Sequence, residues 1–189
     1  MTDLTGRLLV AVPRTEPEVT EGDVFDRSVV LVLHHDESGT HGLILNRPLA
    51  AEVDSVLPGW QEHVTGPDCV FQGGPVSLDT ALALASSNGN DDESLGIRTL
   101  FGDMCLVDLD APPPIVAPVV AALRIYAGYA GWAAGQLEGE IDAGMWFVVD
   151  AQTSDAFSLD PADLWERVLR RQRSAVSFAA TFPSDPDLN

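Results

Sequence analysis

The sequence contains no lysine, and all ten of its basic residues are arginine. Twenty-nine acidic residues outnumber them, which gives a formal net charge of -19 at pH 7. Affinity for nucleic acid rests largely on cationic contacts with phosphate groups. The shortage of positive charge therefore argues against a broad nucleic-acid-binding surface. The absence of lysine also excludes a P-loop, which needs that residue to reach the bound phosphates.

Cysteines and long apolar runs are scarce as well. The two cysteines, Cys69 and Cys105, lie far apart without C-x-x-C spacing, which is typical of reduced thiols in the cytoplasm; the alternative is a disulfide or redox pair. The longest apolar run, residues 111–123, contains four prolines and is too short to span a bilayer. The amino terminus lacks the cationic start and apolar core of a signal peptide. We therefore predict a cytoplasmic protein without a membrane span.

The remaining composition is that of an ordinary globular domain. The 189 residues are 46% hydrophobic and 21% charged, and no internal repeat or low-complexity linker divides them. We predict a single domain over residues 1–189. The pattern leaves the oligomeric state open, with a monomer slightly favoured.

Short apolar runs bounded by turn residues predict a sheet. The run at 28–35 is nearly continuous, which is typical of a strand buried on both faces. Turn residues at 36–39 join it to the run at 41–45 in a β-hairpin. The other predicted strands are 8–12, 70–72, 80–85, 98–100, 104–108, 124–127 and 146–150.

Helical spacing is predicted at 51–57, 118–123, 135–141 and 160–173, the last with Asp160-Pro161 as its start. Strands and helices mix without regular βαβ alternation. The predicted fold class is therefore α+β, with a mostly antiparallel, curled sheet and flanking helices.

Five motifs occur in order along nearly the whole chain: GRLLVAVP, FDRSVVLVLHHDESGTHGLILNRP, FQGGPV, RIYAGYAGWAAGQLEGEI followed by GMW, and the closing DPDLN. Together they resemble the YqgE/AlgH family of bacterial proteins. The resemblance implies a compact α+β domain whose sheet folds into a pseudo-barrel. It also implies the label of transcriptional regulator, which rests on genetic association and not on a DNA-binding motif.

A glycine-rich stretch precedes the helix at 135–141 and supplies the first part of a candidate site. Glycine lets backbone pass close to a ligand or to other backbone. We predict that the strand at 124–127 breaks at the glycines and that a loop follows. One wall of a ligand pocket would then be formed by Gly128, Tyr129, Gly131, Trp132 and Gln136. The alternative is a helix that packs tightly through its own small residues.

Two further segments complete the predicted ligand site. Arg47, beside Asn46 at the end of the hairpin, could hold a carboxylate or phosphate in a bidentate fork. Gly73 and Gly74 could present backbone N–H groups to an anion. A structural arginine and a simple strand-to-turn corner remain the alternatives. Combined with the glycine loop, these residues predict a partly apolar, glycine-lined pocket with one cation and two amides.

The patterns that signal catalysis or metal binding are absent. His34 and His35 are adjacent in a strand, so they point to opposite faces, while His35 and His41 are expected nearly opposite each other across the hairpin. Two histidines do not make a structural zinc site. Glu138 and Glu140 diverge by about 200° on a helix, and no G-x-S-x-G motif occurs. We predict no catalytic residue, metal or cofactor.

The leading functional hypothesis is a non-enzymatic protein that binds a small ligand or a protein partner, with a regulatory role. One alternative is a hydrolase-like enzyme whose active site is assembled from distant residues. Another is a transcriptional regulator that contacts DNA through the arginines of the last helix. No partner helix precedes that helix at helix-turn-helix spacing, so nucleic acid is not the expected partner. The arginines concerned are Arg167, Arg170, Arg171 and Arg173.

Overall fold

A computed structural model describes residues 2–14, 23–89, 96–172 and 175–182. Within these ranges ten strands form one sheet. The strands are β1 (Arg7–Ala11), β2 (Val29–Asp36), β3 (Gly39–Ile44), β4 (Pro48–Glu52), β5 (Cys69–Gln72), β6 (Val76–Ser87), β7 (Ile97–Phe101), β8 (Met104–Val107), β9 (Val120–Ala133) and β10 (Trp146–Asp150).

The helices are short. They are α1 (Pro113–Val116), α2 (Gln136–Asp142), α3 (Thr153–Ala156) and α4 (Leu164–Arg170), with 3-10 turns at Val53–Ser55, Gln61–His63, Ala117–Val119 and Ala175–Thr181. None of the helices in the described ranges is long and apolar enough to cross a membrane. Asp160-Pro161 was predicted to start the last helix but lies before α4, and the predicted end at residue 173 and the closing DPDLN motif fall outside the described residues.

The sheet follows the order β10-β1-β2-β3-β9-β6-β8-β7, with antiparallel neighbours throughout. Strand β5 adds to β9 in parallel, and β4 pairs with β5. The sheet curls until the two ends approach each other: the Phe101 ring, at the end of β7, lies 3.2 Å from where a Cβ on Gly6 would stand, just before β1. The prediction of an α+β fold with a curled, mostly antiparallel sheet is confirmed.

Three apolar clusters lie on the two faces of this half-barrel. The inner cluster fills the curled face and is closed by α4, whose buried side chains are Leu164, Trp165, Val168 and Leu169. One outer cluster packs beneath α2, and the other packs beneath the segment from β4 to the Gln61–His63 turn together with α1. Burial on both faces explains why β2 begins as the continuous apolar run Val29, Val30, Leu31 and Val32.

Strand β9 corrects the prediction for the glycine-rich stretch. The predicted strand 124–127 was expected to break at the glycines, whereas β9 continues for 14 residues through Gly128 and Gly131. Gly128 has φ +68°, in the left-handed region, and a Cβ there would lie 2.7 Å from the Val76 carbonyl oxygen. The register between β6 and β9 shifts between Val76 and Ala81. Glycine therefore lets the strand pass this irregularity instead of ending it.

Two predicted helices are also wrong. Residues 51–57 form the end of β4 followed by the Val53–Ser55 turn, and residues 118–123 belong mainly to β9. In the second case β9 pairs with β6 from the Ser87–Val120 contact onward, so tertiary pairing outweighs the helical preference of the alanines.

The tight turn of the β2–β3 hairpin sets the histidine pairing. Asp36 pairs with Gly39, so that His35 lies opposite Thr40 and His34 lies opposite His41, and a bulge shifts the register only beyond His34, before Val32. The expected pairing of His35 with His41 was therefore wrong. A bulge adds one residue to one strand and reverses which face the following side chains occupy.

Candidate functional site

The Gly73-Gly74 turn packs directly against β9. The Gly73 N–H donates to the Ala127 carbonyl at 2.9 Å, and the Gly73 carbonyl accepts from the Ile44 N–H at 2.8 Å. A Cβ on Gly73 would overlap the Gly128 carbonyl oxygen, and a Cβ on Gly74 would overlap the Tyr129 carbonyl group. These contacts match the alternative interpretation of the sequence, in which the two glycines form a simple strand-to-turn corner.

Asn46 and Arg47 both bind backbone groups of the segment that leads into β2. The Asn46 Oδ1 accepts from the Val29 N–H at 3.0 Å, and its Nδ2 donates to the Arg27 carbonyl at 2.9 Å. Arg47 donates to its neighbour's carbonyl and to the carbonyl of Asp26. Burial lowers the pKa of Arg47, and the Asp26 charge opposes that shift. The two side chains are thus engaged inside the fold.

The predicted pocket wall on β9 is divided between the two faces of the sheet. Trp132 is buried on the outer face beneath α2, whereas Tyr129 packs against the inner cluster. The Tyr129 ring lies 5.3 Å from the ring of His41, centroid to centroid. Gly131 and Gln136 border a small outer cavity together with Trp132, although a Cβ on Gly131 would face the Tyr129 ring. The residues predicted as one wall therefore border two separate cavities.

The outer cavity has a volume of about 160 Å³ and lies beside Glu140. The Glu140 Oε2 accepts from the indole N–H groups of Trp132 and Trp146, each at 2.8 Å, and its Oε1 accepts from the Gln136 amide at 3.0 Å. The two tryptophan rings meet edge to face, with centroids 6.0 Å apart. These contacts attach α2 to β9 and β10, and they occupy the polar groups that border the cavity.

The second cavity, which we call the mouth cavity, has a volume of about 520 Å³. It opens on the curled face of the half-barrel. The lining comes from six strands and the segment before β1: Thr5, Leu33, His34, His41, Gly42, Thr80, Leu82, Arg98, Thr99, Leu100, Leu106 and Tyr129.

Apolar and polar side chains divide the mouth cavity into two parts. The apolar part packs against the inner cluster and consists of Leu33, Leu82, Leu100, Leu106 and the Tyr129 ring. The polar part carries three threonine hydroxyls, two imidazoles and one guanidinium, from Thr5, Thr80, Thr99, His34, His41 and Arg98. Ligand pockets in proteins commonly combine an apolar wall with a few placed polar groups, and the mouths of β-barrels are frequent locations.

The β2 bulge helps to build this cavity. Leu33 and His34 are consecutive in a strand, yet both line the cavity because the register shifts at that point. The His34 Nε2 lies 2.9 Å from Asp36 Oδ2, while the Asp36 Oδ1 accepts from the Ser38 hydroxyl and N–H. Hydrogen bonds from Ser38 and His34 hold the pKa of Asp36 well below its usual range.

A third, more open groove of about 830 Å³ lies along β6, β7 and β8 on their outer side. Its lining includes Ala81 and Ala83 from β6 and the two carboxylates of Asp108 and Asp110. Arg98 borders this groove as well as the mouth cavity. Because opposite charges share the groove, it offers weaker charge selection than the mouth cavity.

Arg124 is the most deeply buried cation in the described ranges, with 1% of its surface exposed. It donates to the carbonyls of Gly66, Ala156 and Ser158, each at 2.8 Å, and its guanidinium lies 4.2 Å from the Phe71 ring centroid. Burial lowers the pKa of Arg124. This side chain joins the segment after α3 to the middle of the sheet.

Burial also raises the pKa of Tyr126 to about 12 and raises the pKa of Cys69. Neither group lines the mouth cavity, and neither do Arg47 and Arg124. A strongly perturbed ionisable group in a cleft is a common mark of an active site. None of these four shifted groups therefore points to the mouth cavity as an active site. Among the described residues, no cluster of three or more histidines, cysteines or carboxylates could hold a metal ion.

The arginines of α4 bind groups within the protein. Arg171 forms a bidentate pair with Asp155 at 2.6 and 2.7 Å, and Arg170 pairs with Glu166 at 2.7 Å. Arg167 donates to the hydroxyl of Ser158. Arg173, the fourth member of the basic cluster, lies outside the described residues.

Fold and cavity together define a class: α+β proteins in which a curled antiparallel sheet surrounds a small, partly apolar cavity at its mouth. A family model described as AlgH-like matches residues 12–177, and the chain belongs to this YqgE/AlgH family. A relative named UPF0301 protein from Streptomyces avermitilis is 49% identical over 193 residues, covering 100% of this chain and 97% of the relative. Another of that name from Thermobifida fusca is 46% identical, covering 98% and 96%.

Solved structures agree with the fold. A crystal structure of a Corynebacterium diphtheriae protein is similar with a TM-score of 0.83 and 34% identity, over 94% of this chain and 91% of that protein. The solution structure of the AlgH protein from Pseudomonas aeruginosa has a TM-score of 0.70 and 25% identity, over 97% and 96%. The curled sheet is thus shared by experimentally determined relatives.

Proposed function

We propose that the protein is a cytoplasmic, non-enzymatic binding protein that holds a small ligand in the mouth cavity. One observation carries the proposal: a cavity of about 520 Å³ combines an apolar wall with six polar side chains. Such a combination suits recognition of a small molecule that has both apolar and polar parts. Occupancy of the cavity, rather than contact with DNA, would be the basis of a regulatory role.

The position of the lining residues supports this proposal. Most of them lie on β2, β3, β6, β7, β8 and β9, which pair with one another through the sheet. Sites on paired strands hold their side chains more precisely than sites on loops. The cavity is therefore organised by the same hydrogen bonds that hold the half-barrel together.

The proposal gives different tasks to the residues predicted from the sequence. Tyr129 is the one that lines the mouth cavity. On this proposal other predicted residues stabilise the fold. The glycines at 73, 74 and 128 let a turn pack closely against β9, and Asn46 and Arg47 bind the segment that leads into β2. On this proposal the ligand binds at the inner face of β9, beside Tyr129, and not at the Gly73-Gly74 turn.

Two adjacent residues of β6 provide a direct test. Thr80 lines the mouth cavity, whereas Ala81 lines the groove on the opposite side. Both residues are exposed, so each position of this strand can carry a tryptophan side chain. We expect Thr80→Trp to fill the mouth cavity and Ala81→Trp to leave it open.

The measurement is a thermal-shift screen of a metabolite panel on the unaltered protein, followed by titration of each stabilising compound against both variants. Compounds that bind in the mouth cavity should lose affinity for Thr80→Trp and keep it for Ala81→Trp. Equal binding of every compound to Thr80→Trp and to the unaltered protein would contradict the proposal.

A further inference from the structure

We infer that the ligand of the mouth cavity is an amphipathic acid, in which a short apolar chain or ring carries one anionic group. This inference rests on the proposed function and adds the chemical class of the ligand. It depends on the charges of the residues that line the cavity, on the side-chain contacts of Arg98 and on the residues of the apolar wall.

The charge of the lining is the opposite of the charge of the protein. The described lining of the mouth cavity contains no aspartate or glutamate, although the chain has 29 acidic residues among 189. Its one formally charged group is the guanidinium of Arg98. A lining without carboxylates repels an anion less than the acidic surface of the rest of the protein does. The lining therefore favours an anion over a cation.

Arg98 differs from the other arginines in its contacts. Within the described ranges its side chain makes no hydrogen bond or ion pair, while the side chains of the other eight described arginines each bind a carbonyl, a hydroxyl or a carboxylate. Those eight are Arg7, Arg14, Arg27, Arg47, Arg124, Arg167, Arg170 and Arg171. A planar guanidinium with free N–H groups binds carboxylates and phosphates in a bidentate manner. Arg98 is thus available for an anionic group that enters the cavity.

The polar groups beside Arg98 can supply further hydrogen bonds. Thr99 follows it on β7, and His41 and Thr80 border the same space. His34 is already paired with Asp36, the acidic residue that lies closest to it in the chain. Asp36 does not line the cavity, and its charge is matched by His34, which does line it, and by Ser38, which does not.

The apolar wall determines the rest of the ligand. Four leucines and the Tyr129 ring form a continuous border with the inner cluster: Leu33, Leu82, Leu100, Leu106 and Tyr129. A methylene group buried against such a wall should tighten binding about fourfold. Affinity should therefore rise along the series hexanoate, octanoate and decanoate until the cavity is full.

Octanoate and octanamide are matched probes, because they share the apolar chain and differ in charge. Isothermal titration calorimetry with the unaltered protein should give a Kd for octanoate about tenfold lower than for octanamide. Arg98→Gln should remove this preference and leave the octanamide Kd unchanged. Arg98→Lys, which keeps the charge, should retain part of the preference.

Arg170→Gln is the control, because it removes one exposed arginine from α4 and changes the net charge equally. It should leave both affinities unchanged. Equal affinity of the unaltered protein for octanoate and octanamide would overturn the inference on the acid while leaving a ligand-binding cavity. An equal loss of the preference in Arg98→Gln and Arg170→Gln would also overturn it, since a general charge effect would then be responsible. Unchanged binding to Thr80→Trp would instead reject the mouth cavity as the site.

Discussion

The backbone of Gly74 lies so close to the carbonyl group of Tyr129 that a Cβ on Gly74 would overlap it. Tyr129 also lines the mouth cavity with its ring. The glycine turn and the candidate site are therefore joined through one residue of β9. A change in the turn should move the wall of the cavity even though the turn itself does not line it.

This contact makes Gly74→Ala strongly destabilising. We expect the free energy of unfolding to fall by about 3 kcal/mol, because a methyl group there requires the turn or β9 to move. Urea denaturation would measure the change. The control is Gly139→Ala in α2, where a Cβ meets nothing within 4 Å and should stabilise the helix by about 0.5–1 kcal/mol. Similar effects of the two substitutions would show that the close approach is absent.

The buried guanidinium of Arg124 gives a second prediction. Arg124→Met should lower the free energy of unfolding by about 3 kcal/mol, because it leaves the carbonyls of Gly66, Ala156 and Ser158 without their donors. Arg170→Met removes a guanidinium that pairs with Glu166 on an exposed face and should cost less than about 0.5 kcal/mol. Chemical denaturation of both variants would test this, and equal losses would argue against a structural role for Arg124.

The hydrogen bonds of the Glu140 carboxylate give a third prediction. Glu140→Gln replaces an anionic acceptor that binds two indole N–H groups with a neutral amide, and we expect a loss of about 1–2 kcal/mol. Asp142→Asn makes the same charge change at an exposed position of the same helix and should cost less than about 0.5 kcal/mol. Tryptophan emission should also change for Glu140→Gln, since both of its partners are indoles. An unaltered emission spectrum together with unaltered stability would contradict the hydrogen bonds between Glu140 and the two indoles.

A fourth prediction concerns alkaline pH. Burial raises the pKa of Tyr126 from 10.0 to about 12, against the opposing effect of the Arg124 charge. Between these values the unfolded chain has released a proton that the folded protein keeps, so the folded state binds more protons and stability falls as pH rises. The full shift corresponds to a loss of roughly 3 kcal/mol, which is complete only above pH 12.

Tyr126→Phe should flatten this dependence between pH 10 and 12. The lowered pKa of Arg124 acts with the opposite sign, because the unfolded chain then holds the extra proton at high pH. Comparing the variant with the unaltered protein separates the tyrosine contribution. A parallel decline of both proteins would mean that Tyr126 ionises equally in the folded and unfolded states.

The sequence predicted those features that depend on neighbouring residues. The hairpin from β2 to β3 follows from an apolar run, a turn and a second run, and α2 follows from the helical spacing of Leu137 and Ile141 beside polar residues. In each case the local pattern and the tertiary environment agree. The helices predicted at 51–57 and 118–123 failed because strand pairing with distant segments outweighs local preference there.

The site residues show why long-range contacts limit such predictions. A glycine at position 128 is compatible with a loop and equally with a strand against which other backbone packs. Only the position of the Gly73-Gly74 turn decides between the two. The sequence favoured Arg47, which follows Asn46 at the end of the hairpin, and carried no such signal for Arg98. What separates them is the Asp26 carbonyl that Arg47 reaches, and no local pattern of residues encodes that contact.

The fourteen residues of β9 complete several pairings at once. Strand β6 lies along one edge of β9, and β3 and β5 share the other, yet all three are synthesised before it. A nascent chain therefore carries the unpaired edges of these strands until residue 133 has left the ribosome. Exposed strand edges promote association with other chains. Truncations that stop before β9 should consequently aggregate or require chaperones, and productive folding should begin only when this late strand emerges.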